Sequence, residues 1–159
     1  MNHTKLTTRT LVLVSGLSLG LAFPLIAAEK TVALKDAPAA VQKTIADQLK
    51  GGKLKSLSVE TEDGKTEYEA ELTIDGREKT IAMDPSGKVL ETEAVVELKS
   101  LPEAVRAGLA REAGKGSIEK VEEVTSAGVT SYEALVKEAG KKNREVVVTP
   151  DGKLVVPKK

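Results

Sequence analysis

The sequence predicts an α+β protein made of tandem duplicated α-β-β-β(-β) repeats, each an antiparallel sheet packed on one helix. Three observations carry this. Sliding the 159-residue chain by 64 positions superposes Leu34–Gly76 on Leu98–Gly140 without a gap and matches 14 of 43 positions. Each copy opens with apolar residues at helical spacing, and each continues with residues that alternate apolar and charged between glycine turns.

Ahead of the repeats, Met1–Arg9 is polar and carries Lys5 and Arg9 without an acid, and Thr10–Ile26 is apolar or small. The stretch closes on Pro24 and Ala27-Ala28, the three-part layout of a secretory signal peptide cut after Ala28. Ser15, Gly16, Ser18, Gly20 and Pro24 interrupt it, and the segment is shorter than the roughly 20 residues that a membrane anchor requires. The expected organisation is therefore a leader over 1–28, a first repeat over 29–95 and a second over 96–159, with a product exported to the periplasm or the medium and not held in a membrane.

In the first repeat, Val41, Ile45 and Leu49 form a stripe at spacing four, Asp36 takes the capping position, and Gly51-Gly52 provide the stop. Leu57, Val59 and Thr61 then alternate on one strand, Asp63-Gly64 turns, and Tyr68, Ala70, Leu72 and Ile74 alternate on the next. Asp75-Gly76 leads into Ile81 and Met83, and Asp84-Pro85-Ser86-Gly87 into Val89-Leu90, a short fourth strand. In the second repeat, Ser100 and Glu103 read as a capping box around Pro102, with the helix running to about Gly114. Gly128 and Gly140 mark its turns, Val146-Val147-Val148 looks buried, and Thr149-Pro150-Asp151-Gly152 precedes Leu154-Val155-Val156. The segment Thr92–Lys99 joins the repeats and is short and partly apolar, which favours repeats packed together, even within one sheet.

Composition excludes several functions. The chain has 24 basic and 24 acidic residues, and removal of the leader leaves 22 against 24. Such a balance gives no electrostatic drive toward nucleic acid. The single His, His3, and the single Phe, Phe23, fall in the leader, and there is no Cys or Trp anywhere. A mature chain without His or Cys lacks the usual zinc and copper ligands and the usual partners of an activated nucleophile. It also folds without disulfides.

The helix openings Leu34-x-x-x-Pro38-x-x-Val41 and Leu98-x-x-x-Pro102-x-x-Val105, the strand motif Tyr68-Glu69-Ala70 with its twin Tyr132-Glu133-Ala134, and the turns Asp84–Lys88 and Thr149–Lys153 resemble the bacterial PepSY-like repeats. The similarity is to the branch that includes proteins like β-lactamase-inhibitory protein, and it spans essentially the whole mature chain. It implies an extracytoplasmic domain that binds proteins or small ligands, with protease or β-lactamase inhibition in some relatives. It transfers no site, and the aromatic-rich surface and disulfides of those inhibitors have no counterpart in a chain with two tyrosines and no cysteine.

Pairing the first repeat's strands around their turns sets Val59 opposite Tyr68 and Leu57 opposite Ala70, so the other side becomes acidic. Glu60, Glu62, Glu67, Glu69, Glu71, Glu78 and Asp84 project from it, and Glu60 faces Glu67. Like charges placed opposite destabilise a sheet by roughly 0.2–1 kcal/mol, which a cation or a basic partner would offset. The five glutamates Glu60, Glu62, Glu67, Glu69 and Glu71 are the candidate cation-binding residues. Against them stands the reading of an ordinary solvated face, with Leu135 and Lys137 breaking the ladder in the second repeat. Tyr68 and Tyr132 read as structural residues under the helices, and Lys141-Lys142-Asn143-Arg144 and Lys158-Lys159 as a solvated loop and tail. Glutamates on an open face are solvated alike and do not provide the separated acid and base of a carboxylate enzyme. The expectation is a cofactor-free, non-catalytic protein that binds a protein partner in the cell envelope. The alternative is a small-ligand or calcium-like sensor using the acidic face.

Overall fold

The structure, a computed structural model, describes residues 30–62 and 64–156. The leader, its cleavage after Ala28, the turn residue Asp63, the side chain of Glu62 and the Lys158-Lys159 tail lie outside the described residues.

Eight strands form one antiparallel sheet in chain order. The first half contributes β1 (Lys30–Thr31), helix α1 (Ala39–Leu49), β2 (Lys53–Glu62), β3 (Lys65–Ile74), β4 (Arg77–Met83) and β5 (Val89–Val95). The second contributes α2 (Glu103–Ala113), β6 (Ser117–Ser126), β7 (Val129–Lys137) and β8 (Arg144–Val148). A single 3-10 turn precedes each helix, over Leu34–Asp36 and Leu98–Ser100.

The expected caps are not where the helices begin. Asp36 and Ser100 close the 3-10 turns, and the capping positions fall on Pro38 and Pro102 without a side-chain cap. Proline confines the residue before it to extended backbone. Ala37 (ψ 159°) and Leu101 (ψ 155°) accordingly place two residues between the expected caps and the first helical turn. Ser100 Oγ instead donates to Glu97 O at 2.8 Å. The first helical bonds run from Gln42 N to Pro38 O and from Arg106 N to Pro102 O.

Both helices lie on the same face of the sheet. Val41 and Ile45 on α1 are fully buried above Leu57, Ala70, Leu72, Ile81 and Met83, with Leu49 and Tyr68 half-buried at the rim. Val105, Leu109 and Ala113 on α2 cover Val121, Tyr132, Ala134, Val136, Val146 and Val148. One continuous sheet thus carries two separate apolar cores. Each large aliphatic side chain buried this way stabilises the fold by about 1.5–3 kcal/mol.

The segment read as a linker is largely strand. Thr92–Val95 complete β5, which pairs with β4 on one edge (Lys79↔Ala94) and with β6 on the other (Ala94↔Glu123, Val95↔Glu122). On the far side of the first half, β1 makes the pairs Lys30↔Val59 and Thr31↔Ser58, the same register displaced by 64 residues. The end of β5 therefore stands to β6 as β1 stands to β2. The fourth strand also differs from expectation: β5 is seven residues long, whereas the corresponding stretch of the second half makes one bridge, Val148↔Leu154.

Where turn meets helix, the backbones touch. Gly87 packs under Ala40, and Thr44 Oγ1 donates to Gly87 O at 2.8 Å. In the second half, Gly152 packs under Ala104, Gly108 replaces the threonine, and Arg111 Nη2 donates to Gly152 O at 2.9 Å. Two different donors hold the equivalent carbonyl in the two halves.

Candidate functional site

Residues directly opposite in an antiparallel pair point to the same side of the sheet. The pairs Leu57↔Ala70↔Ile81 and Val121↔Ala134↔Val146 face the helices, so their neighbours in each strand face away. Among the described residues no helix covers that second side. It is an open face across the sheet, and the strand registers define what it carries.

One row runs Ser58↔Glu69↔Ala82↔Glu91↔Ser126, and the next Ser56↔Glu71↔Thr80↔Glu93↔Val124↔Ser131. Glu60 pairs with Glu67 at one end, and Glu122 with Glu133 and then Val147 in the second half. Of the sequence-predicted acidic residues, Glu60, Glu67, Glu69, Glu71 and Glu78 share this side, and the backbone of Glu62 pairs with Lys65 at its margin. Asp84 does not belong to the ladder. Its carboxylate accepts the Ser86 hydroxyl, which is the main reason its pKa lies below the usual carboxylate value, and the amides of Ser86 and Lys88 at 2.8 and 3.1 Å, which lock the β4–β5 turn.

The acidity also extends further than the sequence reading allowed. Leu135 does interrupt it, but Glu91, Glu93, Glu122, Glu133 and Glu145 continue it through β5–β8. The Glu122–Glu133 pair was within reach of sequence, since it follows from folding β6 on β7 about Ala127-Gly128. Glu91 and Glu93 reach this side through the β4–β5 hairpin, whose register shifts at Ala82/Met83, and they come beside the second half only through the β5–β6 pairing, which spans the whole of α2.

Bases also meet this side: Lys55 Nζ stands 2.8 Å from Glu78 and Lys120 Nζ 2.6 Å from Glu122, and the register sets Lys53, Lys65 and Lys137 on the same side toward its margins. Crowding has electrostatic consequences. Partial burial, followed by the charges of Glu91 and Glu60, raises the pKa of Glu67. For Glu133 burial again comes first, then Glu145, Glu93 and Glu122; Lys120 opposes them, and the carboxyl is pushed up to about 7. Among the described residues no group of three or more acidic side chains is drawn together closely enough to hold a metal ion.

The tyrosines lie on the helix side. Tyr132 is buried and its hydroxyl donates to Glu123 Oε2 at 3.1 Å, whereas Tyr68 is half-buried. The basic cluster proves divided. Lys141 bonds Glu138 in the loop, but Arg144 starts β8 and its Nη2 donates to Glu112 O at 2.6 Å and Ala113 O at 3.1 Å. That guanidinium closes the C-terminal end of α2, a favourable place for a cation. A recess of about 670 Å³ lined by Glu97, Leu98, Lys99, Arg106 and Ala110 gathers no convergent set of polar groups.

Fold and face together define an α+β protein with helices on one side of an antiparallel sheet and an open, acidic second side. Solved structures share this fold. A protein of the DUF2874 family from Bacteroides ovatus ATCC 8483 superposes with a TM-score of 0.61 at 19% identity, over 76% of this chain and 85% of that one. A proposed periplasmic protein from Bacteroides eggerthii DSM 20697 gives 0.63 at 18% identity, over 76% and 86%. A protein from Bacteroides fragilis NCTC 9343 described as BLIP-like gives 0.59 at 20%, over 77% and 85%. No protein-family model matches the chain, and no curated protein matches it. No helix among the described residues is long and apolar enough to cross a membrane.

Proposed function

We propose that this chain is an exported, non-catalytic binding protein that engages a protein partner through the open face of its sheet. Carboxylates from every strand from β2 to β8 share that face, and the directly opposed pairs Glu60–Glu67 and Glu122–Glu133 carry the reading. Each opposed pair costs stability, and a basic surface laid over it relieves the cost. The likeness in fold to proteins described as periplasmic or BLIP-like supports an envelope partner, with inhibition or regulation of an envelope or secreted enzyme as the role. The PepSY-like motifs and the register repeated at 64 residues support two duplicated units, 29–95 and 96–159, behind a cleaved leader. A chain with no cysteine, and with its one histidine at position 3, lacks the usual His-activated nucleophile, and the outer carboxylates occupy an open surface, not a cleft.

The test is a photo-crosslinking amino acid placed in cells at Glu69 on the open face and, separately, at Lys43 on the exposed side of α1. A discrete adduct from position 69 and none from position 43 supports the reading. Indistinguishable backgrounds from both positions sink it.

A further inference from the structure

Glu133 occupies a particular position in the sheet. It lies on β7, beside the edge strand β8, and charged side chains surround it from β5, β6 and β8 on the open face. Glu93 comes from β5, Glu122 stands directly opposite on β6 with Lys120 near it, and Glu145 comes from β8. Lys120, which opposes the acidic neighbours of Glu133, is already engaged by Glu122 at 2.6 Å. On its own strand Ser131 and Leu135 flank Glu133 on this face, and directly across on β8 stands Val147, which is neutral.

The strand beside it is fully paired on one side and sparsely on the other. Among the described residues the outer edge of β8 carries the Val148↔Leu154 bridge and the bond from Val155 N to Val147 O. The corresponding edge of β4 is paired with β5 from Lys79 to Met83. Edge strands with few partners open locally at lower free energy than the strands between them.

We propose that the Glu133 row is a pH-sensitive latch on β8. With a proton on Glu133 the row contains a neutral carboxyl able to donate a hydrogen bond to a neighbouring carboxylate, and β8 stays closed on β7. Once the proton leaves, carboxylates on four adjacent strands repel, and the strand with the weakest lateral support yields. The sign follows from linkage: a carboxyl that holds its proton more tightly in the folded than in the unfolded state stabilises the fold at low pH. That stability is lost as pH rises from the ordinary glutamate value of 4.5 to about 7, and the loss is complete above it. The latch requires no partner and stands apart from the binding role of the face.

The experiment is native-state hydrogen exchange on the full mature protein at about pH 5 and about pH 8, with each amide corrected for its intrinsic rate, in the wild type and in Glu133→Gln. After allowance for solvent screening of a half-exposed group, protection of the Val146 and Val148 amides in the wild type falls by about tenfold between the two conditions, the equivalent of one pKa unit. In Glu133→Gln it stays nearly constant. A wild type and variant that lose protection equally overturn the latch. A carbon-13 titration of the Glu133 carboxyl provides the second reading. A midpoint near neutrality supports the latch, and one near 4.5 refutes it without recourse to any variant.

Discussion

Replacing Gly152 with alanine tests the close approach of turn and helix on which the second half depends. Gly152 has φ +77°, and a methyl group there would stand 2.1 Å from Ala104 O and 2.8 Å from Ala104 C. Contacts of a Cβ below 3.0 Å are essentially never seen, so the turn must withdraw by about 1 Å. The left-handed backbone costs alanine about 1–2 kcal/mol, and forced repacking adds about 1–3 kcal/mol. The displaced carbonyl of Gly152 also loses the hydrogen bond from Arg111, worth about 1 kcal/mol. The expected loss is about 3–6 kcal/mol, a large part of the 5–15 kcal/mol typical of a domain. The control is Gly128→Ala, where φ is +79° but nothing lies within 4 Å, so that only the backbone cost of about 1–2 kcal/mol applies. Equilibrium urea unfolding of both variants gives the difference directly. If Gly152→Ala loses no more than Gly128→Ala, the turn does not rest on the helix as described.

Other outcomes follow from the same geometry. Ala127 holds φ +50° without the freedom of glycine, in a two-residue turn that favours Asn-Gly; Ala127→Asn raises stability by about 0.5–1 kcal/mol in the same urea assay. Arg144→Met removes the guanidinium from the last carbonyls of α2 and lowers stability by about 1 kcal/mol, a loss that added salt does not reproduce in the variant. Glu67→Gln relieves the Glu60–Glu67 opposition. Because the pKa of Glu67 is raised in the folded state, its charge destabilises the fold at neutral pH, and the variant melts at a higher temperature there by an amount that corresponds to about 0.2–1 kcal/mol. Leu109→Ala empties a fully buried site under α2 and costs about 2–5 kcal/mol in urea unfolding.

The sequence by itself determined what is local or repeated. The stripe Val41–Ile45 and the alternations around Leu57 and Ala70 set the inner side of the sheet, because helical and strand periods sort side chains before any long-range contact forms. Two-residue turns fix the register of the strands they join, so Val59↔Tyr68 and Glu60↔Glu67 could be read from the order of residues alone. The helix caps failed for a local reason that pattern reading overlooked: the residue before each proline cannot be helical, which moves the start of the helix past Asp36 and Ser100.

How the halves join and how far the acidic face extends depend on pairing between strands distant in sequence. The β5–β6 pairing closes a loop that contains an entire helix, and no turn chemistry specifies it. The placement of Glu91 and Glu93 beside the Glu122–Glu133 pair depends on that closure. Part of the environment of Glu133 does so too: Glu122 and Glu145 reach it through the β6–β7 and β7–β8 hairpins, but Glu93 joins them only when β5 pairs with β6. Arg144 shows the same division. Its position after a glycine and two lysines looked like loop, but the end of α2 happens to lie within reach of β8, and unsatisfied carbonyls there accept its guanidinium.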